Sequence, residues 1–382
     1  MRSDFLVYGS PQIGQEEIDE VLDTIHSGWL GTGPKTQRFE KEFATYQGIE
    51  NAVAVSSCTA AIHLALLAAG VGKGDEVIIP ALTFCATANA VIHAGARPVF
   101  ADIREEDLTI DPFDVERKIS SKTRAVIPVH LYGYPADMAS LRSIASKHNL
   151  HLIQDAAHAA ESEYRGKKMA TYGDITTYSF YITKNLTTVE GGMVVTSNRE
   201  WADKIKVFAL HGMSQDAWSR YSDRGYKHYQ VSMPGYKYNM TDIQASFGLH
   251  QLNRLETSLL RRDEIWNRYD EAFCTLPFIL PPSPSDSTIR HAKHIYALRV
   301  ANGASISRDE CMERLYSQNI GSAVHYTSLH LHPYYTDEFG YRKGDFPVAE
   351  NVGETTFSLP LSAKLTDSDV NDVIQAVCGI FK

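Results

Sequence analysis

A lysine at position 184 lies where a buried strand would pass into a glycine-bounded turn, within the segment Ser179–Gly192. An ammonium group held between an apolar run and a tight turn is partly desolvated, which favours the neutral amine. A neutral amine is a nucleophile that can form a Schiff base with a carbonyl compound. On this segment alone, a surface lysine at the end of a strand is an equally good interpretation.

An anion site is indicated upstream, where an apolar strand leads into Ser57-Cys-Thr-Ala60 and then into a helix-forming run that closes at Gly70. Ser57 and Thr59 are residue types that cap helix N-termini. The free amides and the positive dipole end of such a helix bind phosphate groups. A helix cap without a ligand explains this segment better when it is taken alone.

A carboxylate and an imidazole follow another predicted strand, in Leu150-His-Leu-Ile-Gln-Asp155-Ala-Ala-His158. Residues just beyond the carboxyl ends of strands in an open α/β sheet point into the ligand crevice. An aspartate cap with a buried histidine accounts for this segment in isolation. A pyridoxal phosphate (PLP) site explains all three segments together, because it needs a phosphate turn, a carboxylate for the protonated ring nitrogen and a lysine for the aldehyde. Once an amino acid displaces Lys184, its amine can move the proton at the substrate carbon as base and acid.

The elements that would position these residues alternate along the chain. Short apolar runs separated by helical patterns predict a mostly parallel sheet with helices on both faces. Seven runs are predicted strands: 52–55, 76–80, 98–103, 125–130, 150–155, 176–180 and 193–196. A helix over 138–149 is predicted by its apolar spacing.

The pattern changes near residue 250, where a charged helical stretch over 252–270 leads into a proline-rich loop at 277–286. Beyond it we predict strands at 294–300 and 321–325, a helix near 308–318 and a final helix over 368–381 with Thr366 as its N-cap. The chain is therefore predicted to divide into an N-terminal segment, 1–35, associated with a small domain; a large PLP-binding domain, 36–250; and the small α+β C-terminal domain, 251–382.

Over nearly its whole length the sequence resembles the sugar-nucleotide aminotransferases of the fold-type I PLP superfamily. The motifs that carry the resemblance lie, in order, at 27–34, 57–60, 80–84, 127–130, 155–158, 179–192, 234–245 and 324–326. The closest match is the branch that aminates the 4-keto carbon of a nucleotide-linked sugar, which includes the 4-amino-4-deoxy-L-arabinose synthases. The resemblance implies an α/β fold with a seven-stranded, mostly parallel sheet between helices in the large domain.

The resemblance also implies roles for individual residues around the cofactor. Lys184 would carry the Schiff base, Asp155 would pair with the pyridine nitrogen and His158 would lie near the phenolic oxygen. The remaining cofactor contacts would be Phe84 stacked on the ring, Thr59, Ala60 and Ser179 on the phosphate, and Asn239 donated to the phosphate by a neighbouring subunit. The last of these implies a homodimer with its active site at the subunit interface.

Two positions depart from the family pattern. Tyr181 stands where many relatives carry His in Ser-Phe-His, and Cys58 replaces a smaller residue before Thr59.

Four residues are predicted on the substrate side. The resemblance places His325 and Tyr326 at the sugar-binding face. Trp29 is a candidate because flanking glycines allow a turn that leaves its indole facing a pocket, although a buried structural tryptophan is the alternative. Arg220 lies in a basic, aromatic segment that suits a nucleotide diphosphate, with a solvated interface loop as the alternative. The histidines at 325, 330 and 332 lack a partnering carboxylate or cysteine set, so we predict no metal.

The composition of the 382 residues fits a soluble enzyme. With 46 acidic and 37 basic residues the net charge is −9, which argues against a nucleic-acid or membrane-surface binder. Five cysteines without a paired framework indicate a reducing compartment, and no stretch is apolar enough to cross a membrane, so we predict a cytoplasmic location.

The predicted activity is PLP-dependent transfer of an amino group from L-glutamate to C4 of a nucleotide-diphospho keto-sugar. The donor comes from the resemblance alone. Amination at C3 or of a cyclitol ketone is the alternative. A PLP-dependent sugar 3-dehydratase is disfavoured because such enzymes carry His in place of Lys184, and a non-catalytic regulatory relative because the cofactor residues are intact.

Overall fold

The computed structural model of the protein describes residues 2–213 and 230–381. The α-helices in these ranges are α1 (Gln15–Ser27), α2 (Pro34–Gln47), α3 (Cys58–Ala68), α4 (Cys85–His93), α5 (Pro112–Lys118), α6 (Met138–His148), α7 (Arg199–Ala209), α8 (Asp242–Asn253), α9 (Leu255–Phe273), α10 (Arg308–Tyr316), α11 (Pro333–Phe339), α12 (Pro347–Thr355) and α13 (Asp367–Cys378). The strands are β1 (Asn51–Val55), β2 (Glu76–Pro80), β3 (Arg97–Ala101), β4 (Thr123–Val126), β5 (His151–Asp155), β6 (Glu163–Tyr164), β7 (Lys167–Lys168), β8 (Ile175–Ser179), β9 (Gly192–Thr196), β10 (Phe278–Ile279), β11 (Tyr296–Val300) and β12 (Thr356–Leu359).

A seven-stranded sheet forms the centre of the fold, with the strand order β1-β9-β8-β5-β4-β2-β3. β9 runs antiparallel to both of its neighbours, whereas the other neighbouring pairs are parallel. Each of the seven predicted apolar runs supplies one strand of this sheet. The prediction of an α/β fold with a mostly parallel seven-stranded sheet is confirmed.

Apolar cores cover both faces of this sheet. Along β2, Val77 and Ile79 pack into one cluster of buried residues, while Ile78 between them packs into another. Because successive side chains of a strand point to opposite faces, each face of the sheet meets its own core. This two-sided burial explains why the strands are continuous apolar runs in the sequence.

Helix α3 is almost entirely buried and packs against β8 and β9. Its small alanine side chains allow a close approach to the sheet, and Ser57 caps its N-terminus by accepting a hydrogen bond from the amide of Ala60. Gly70 follows the helix with a φ of 78°, a left-handed conformation that glycine adopts without strain. The Ser57 cap and the packing against β8 and β9 thereby position the N-terminus of α3 at one edge of the sheet.

The C-terminal region is built on a three-stranded antiparallel sheet with the order β10-β11-β12. Helices α9, α10 and α13 pack around it over a core rich in aromatic residues, including Trp266, Tyr269 and Tyr296. Thr366 caps α13 as predicted, with its hydroxyl accepting from the amide of Asp369.

Two predicted elements differ from the structure. The run at 321–325 forms no strand. The Gly321 amide donates to the Leu6 carbonyl near the N-terminus, the Leu6 amide donates to the Asn319 carbonyl, and within the run only Ala323 pairs with β12. The helical stretch predicted over 252–270 is divided at Arg254, where α8 ends and α9 begins.

The N-terminal segment contacts both parts of the chain. Leu6 pairs with the region around Ile320, and Arg2 forms ion pairs with Asp369 and Asp372 of the C-terminal region. Helix α1, in contrast, packs against α8. The predicted domain boundaries stay a prediction. None of the described helices combines the length and the apolar character needed to cross a membrane.

Candidate active site

A cavity of about 320 Å³ opens where β5 and β8 end and α3 begins. Of the twelve residues predicted for the site, eight border this cavity: Thr59, Phe84, Asp155, His158, Ser179, Lys184, His325 and Tyr326. Asp155 is the last residue of β5 and Ser179 the last of β8, and parallel strands bring their carboxyl ends to the same edge of a sheet. The strand topology therefore assembles residues that lie far apart in the sequence.

Lys184 carries an amine that is activated by its surroundings. Burial lowers the pKa of this amine to about 8, against the opposing attraction of the Asp155 carboxylate. Within the described residues no hydrogen-bond or ion-pair partner meets the amine. A lysine in this state is available to react with a carbonyl group.

Asp155 is a buried carboxylate held by three neighbours. Burial raises its pKa, while hydrogen bonds donated by the Thr87 hydroxyl, at 2.8 Å, and by the Ala157 amide, at 3.1 Å, favour the ionised form. The Cys58 sulfur lies 4.0 Å from the same carboxylate. This arrangement suits a carboxylate that receives a proton-bearing ring nitrogen.

His158 is fixed in one orientation by the backbone. Its Nδ1 accepts a hydrogen bond from the Tyr132 amide at 3.2 Å, and burial lowers the pKa of the imidazole well below its ordinary value. The neutral ring therefore carries its proton on Nε2, which lies 3.2 Å from the Tyr326 hydroxyl. Tyr132 adopts a positive φ of 58° to present this amide.

The turn at Ser57 presents backbone amides at one end of the cavity. The Ser57 hydroxyl satisfies the Ala60 amide, and the preceding amides of Cys58 and Thr59 find no acceptor within the described chain. Gly192 lies directly against this turn, since a Cβ there would come within 2.5 Å of the Ser57 carbonyl carbon. Only glycine permits β9 to approach the turn so closely.

The cavity fits PLP on these observations. Phe84 is 54% exposed although it lines the cavity, so its ring face is available to a planar ligand. The unpaired amine of Lys184, the buried Asp155 and the free amides at Ser57 match the aldehyde, ring nitrogen and phosphate of the cofactor. Ser179 and the neutral His158 complete the set of residues that would hold it.

Three other predicted site residues, Ala60, Asn239 and Trp29, lie outside the lining of this cavity. Ala60 is buried behind the turn, and Asn239 lines a second cavity of about 240 Å³, where its amide donates to the Thr32 hydroxyl at 2.6 Å. Trp29 is 41% exposed outside the Lys184 cavity, with its indole N–H donated to the Thr32 carbonyl. Arg220 lies outside the described residues.

The histidines near the cavity have other partners. His325 Nδ1 lies 2.9 Å from the Ser358 hydroxyl, and burial lowers its pKa to about 4. His330 is buried against Glu350, with 2.9 Å between its Nε2 and the carboxylate. Across residues 2–213 and 230–381, no group of three or more His, Cys, Asp or Glu side chains is placed to hold a metal ion.

Sequence reasoning missed Thr87 and Tyr132. Thr87 follows Phe84 by three residues at the start of α4, so helical spacing alone could have placed it on the cavity side. Tyr132 acts through a backbone amide, which no residue pattern reveals.

PLP and a fold-type I architecture define the class of this protein. Its family follows from comparison with known proteins: residues 11–378 match the DegT/DnrJ/EryC1/StrS aminotransferase family, and the chain belongs to that family. It is 51% identical over 383 residues to the spore coat polysaccharide biosynthesis protein SpsC of Bacillus subtilis, a match that covers 100% of this chain and 98% of SpsC.

Solved structures of similar proteins agree with this assignment. The putative sugar aminotransferase Spr1654 of Streptococcus pneumoniae, in its PMP-form, is 33% identical with a TM-score of 0.91 over 99% of this chain and 98% of that chain. Helicobacter pylori PseC, an aminotransferase involved in the biosynthesis of pseudoaminic acid, is 27% identical with a TM-score of 0.91 over 99% of both chains. The protein is thus a PLP-dependent sugar aminotransferase, and the predictions of enzyme class and cofactor are confirmed.

Proposed function

We propose that the protein transfers the amino group of L-glutamate to C4 of a nucleotide-diphospho 4-keto sugar, either a hexose, including 6-deoxyhexoses, or a pentose. The observation that carries this proposal is the single cavity in which Lys184 and Asp155 lie beside His325 and Tyr326. The first two residues serve the amino-transfer chemistry, and the other two extend the cavity on the side where the sequence resemblance places the sugar.

Lys184, Asp155 and His158 each have a separate role in the proposed reaction. Bound PLP supplies an electron sink for the carbon that gains or loses a proton. Lys184, with a pKa of about 8, is matched to taking a proton from the donor Cα and returning one to the former ketone carbon near neutral pH. Asp155 would hold the ring nitrogen in its protonated form, and His158, whose Nδ1 accepts from the Tyr132 amide, would donate from Nε2 towards the phenolic oxygen.

The names of similar proteins support an amino sugar as the product. SpsC is named for spore coat polysaccharide biosynthesis, and PseC is an aminotransferase involved in making pseudoaminic acid. Recognition of the nucleotide diphosphate needs positive charge, yet Lys184 is the only amine or guanidinium among the described side chains that border the cavity. We therefore retain Arg220 as a proposed diphosphate contact.

The proposed active form is a homodimer. Asn239 lies outside its own chain's Lys184 cavity, which is consistent with a role at the phosphate of a neighbouring subunit. We also propose a cytoplasmic location, since all five cysteines are free thiols and thiols persist in reducing compartments. The domain division at residues 35 and 250 belongs to the same proposal.

The test is nitrogen transfer from ¹⁵N-labelled L-glutamate to a panel of nucleotide keto-sugars, with the position and configuration of the new amine determined by NMR. The expected result is ¹⁵N at C4 of a 4-keto sugar, and no transfer by Lys184→Ala. Lys343→Ala is the matched control, because Lys343 is an exposed lysine paired with Glu354. Labelling at C3, labelling of a cyclitol ketone or failure to exchange nitrogen with glutamate would each contradict the proposal.

A further inference from the structure

The residue that follows Lys184 carries a side-chain amide with a fixed orientation. Asn185 Nδ2 lies 3.0 Å and 3.1 Å from the two carboxylate oxygens of Glu161 and 3.1 Å from the carbonyl oxygen of Ala292. All three of these atoms are acceptors, so the nitrogen of the amide must face them. The oxygen of the amide therefore faces His294, where it lies 2.9 Å from Nδ1.

The orientation of Asn185 decides which nitrogen of His294 carries the proton. An amide oxygen can only accept, so Nδ1 of His294 is the donor. Burial and the positive charges of Lys184 and Arg262 lower the pKa of His294 well below its ordinary value, so the ring is neutral and its Nε2 is unprotonated. The other ionisable side chains that face this ring are also imidazoles, those of His158, His291 and His325.

A buried ion pair holds the nitrogen side of Asn185. Glu161 and Arg262 are 0% and 2% exposed and pair with each other. Arg262, on α9, also donates to the carbonyls of Lys293 at 3.1 Å and of Ala292 at 3.3 Å. The Glu161 carboxylate is thus paired with Arg262 and separated from His294 by the neutral amide of Asn185.

His294 packs against the histidine that faces the cofactor site. Its ring centroid lies 4.6 Å from that of His158. The His294 amide donates to the Tyr132 carbonyl at 3.1 Å, and the amide of the same tyrosine fixes His158. A positive charge on His294 would disfavour protonation of its neighbours and would weaken Lys184 as a base. Proton transfer by Lys184 is therefore favoured by a neutral ring at position 294.

We propose that Asn185 is a positioning residue for amino transfer, whose amide holds His294 as a neutral ring with its proton on Nδ1, beside His158 and Lys184. An aspartate could not replace it, because a carboxylate at position 185 would stabilise the charged imidazolium of His294. The inference rests on the proposed roles of Lys184 and His158, and it is independent of the sugar.

The first experiment observes the His294 ring in the apoprotein by NMR. With ¹⁵N-labelled histidine, the side-chain nitrogen signals report which nitrogen carries the proton, and the signals of His294 are identified by their loss in His294→Asn. We expect a neutral ring with its proton on Nδ1 from about pH 5.5 to about pH 8. Asn185→Asp is expected to raise the pKa of His294 by about 1–3 pH units. A wild-type ring with its proton on Nε2, or one that is charged at about pH 7, would overturn the inference.

The second experiment measures the first half of the reaction in a single turnover. The PLP-loaded protein is mixed with whichever L-amino acid reacts fastest with the wild type, and the loss of cofactor absorbance gives the rate. We expect Asn185→Asp to lower this rate at least about tenfold on its own, but less than about twofold when it is added to His294→Asn. An equal loss with and without His294→Asn would overturn the inference, because Asn185 would then act without His294.

Asn371→Asp is the matched control, because it adds the same charge at an exposed asparagine on α13, whose side-chain oxygen accepts from Arg268 at 2.7 Å. It is expected to match the wild type in both experiments. Circular dichroism confirms that each variant is folded, and the NMR result on the wild type stands even if Asn185→Asp does not fold. A wild type that reacts with no amino acid contradicts the proposed function, whereas the NMR result still decides the inference on Asn185.

Discussion

Lys184 in the cofactor-free protein is expected to titrate near pH 8. Burial lowers its pKa from the ordinary 10.5 to about 8, and the negative charge of Asp155 only partly opposes this effect. At pH 7 about one amine in ten is then neutral, compared with about one in three thousand for an ordinary lysine. The expected gain in the reactive neutral form is therefore about 300-fold.

Competitive acetylation of the apoprotein measures this titration directly. The apoprotein is labelled at a series of pH values from about 6 to about 10, and mass spectrometry reports the modified fraction of each lysine separately. Lys343 is the internal control, because it is exposed and its pKa is raised by Glu354 at 2.6 Å. We expect the acetylation of Lys184 to reach its midpoint near pH 8, well below that of Lys343.

The variant Asp155→Asn tests how much the carboxylate contributes to the pKa of Lys184. The carboxylate raises the pKa of Lys184, so its removal should move the midpoint of Lys184 below that of the wild type. A midpoint for Lys184 close to 10.5 and shared with the exposed lysines would show that burial does not lower its pKa, and an upward shift in Asp155→Asn would show that the carboxylate does not raise it.

The remaining predictions concern a hydrogen bond, a helix cap and a buried acid. Thr87→Val removes a hydrogen bond of about 1.5–3 kcal/mol to ionised Asp155, so the pKa of the Asp155 carboxyl should rise by about 1–2 pH units in an NMR titration of the apoprotein, whereas Thr87→Ser should leave it unchanged. Ser57→Ala removes the cap of α3 and should lower the free energy of unfolding of the apoprotein by about 1 kcal/mol in urea denaturation; an unchanged value would contradict the cap. Burial raises the folded-state pKa of Glu40 from 4.5 to about 7, so the wild type loses stability as pH rises through this interval, where the unfolded chain has already released its proton. Glu40→Gln keeps an acceptor for the Ala54 amide and should therefore be more stable than the wild type at about pH 8 but not at about pH 4; equal stability at both pH values would contradict the shift.

The sequence was sufficient to predict the residues whose position follows from strand ends. Asp155 and Ser179 terminate strands that are recognisable as apolar runs, and a parallel sheet brings such ends together whatever the loops between them do. The position of Lys184 could be predicted for the same reason, since this residue lies just beyond the end of β8. The strong agreement between local pattern and sheet topology explains why both the fold class and the cofactor could be predicted.

Contacts made through the backbone or set by the N-terminal segment could not be predicted. The Tyr132 amide fixes His158 through a backbone conformation that carries no residue signature. A strand is predicted over 321–325, but the Gly321 amide donates to the carbonyl of Leu6, which lies at the other end of the chain. The surroundings of Trp29 likewise depend on helix α1, which packs its acidic side inward. Ion pairs of Glu17 with Arg254 and of Glu20 with Lys35 hold α1 in this orientation.

We propose that Lys184 holds the cofactor, and reductive trapping of the bound cofactor tests this role directly. Borohydride treatment of the PLP-loaded protein, followed by peptide mass spectrometry, is expected to place the reduced cofactor adduct on Lys184, with no adduct and no visible absorption band in Lys184→Ala. An adduct on a different lysine, or an undiminished absorption band in Lys184→Ala, would contradict the account.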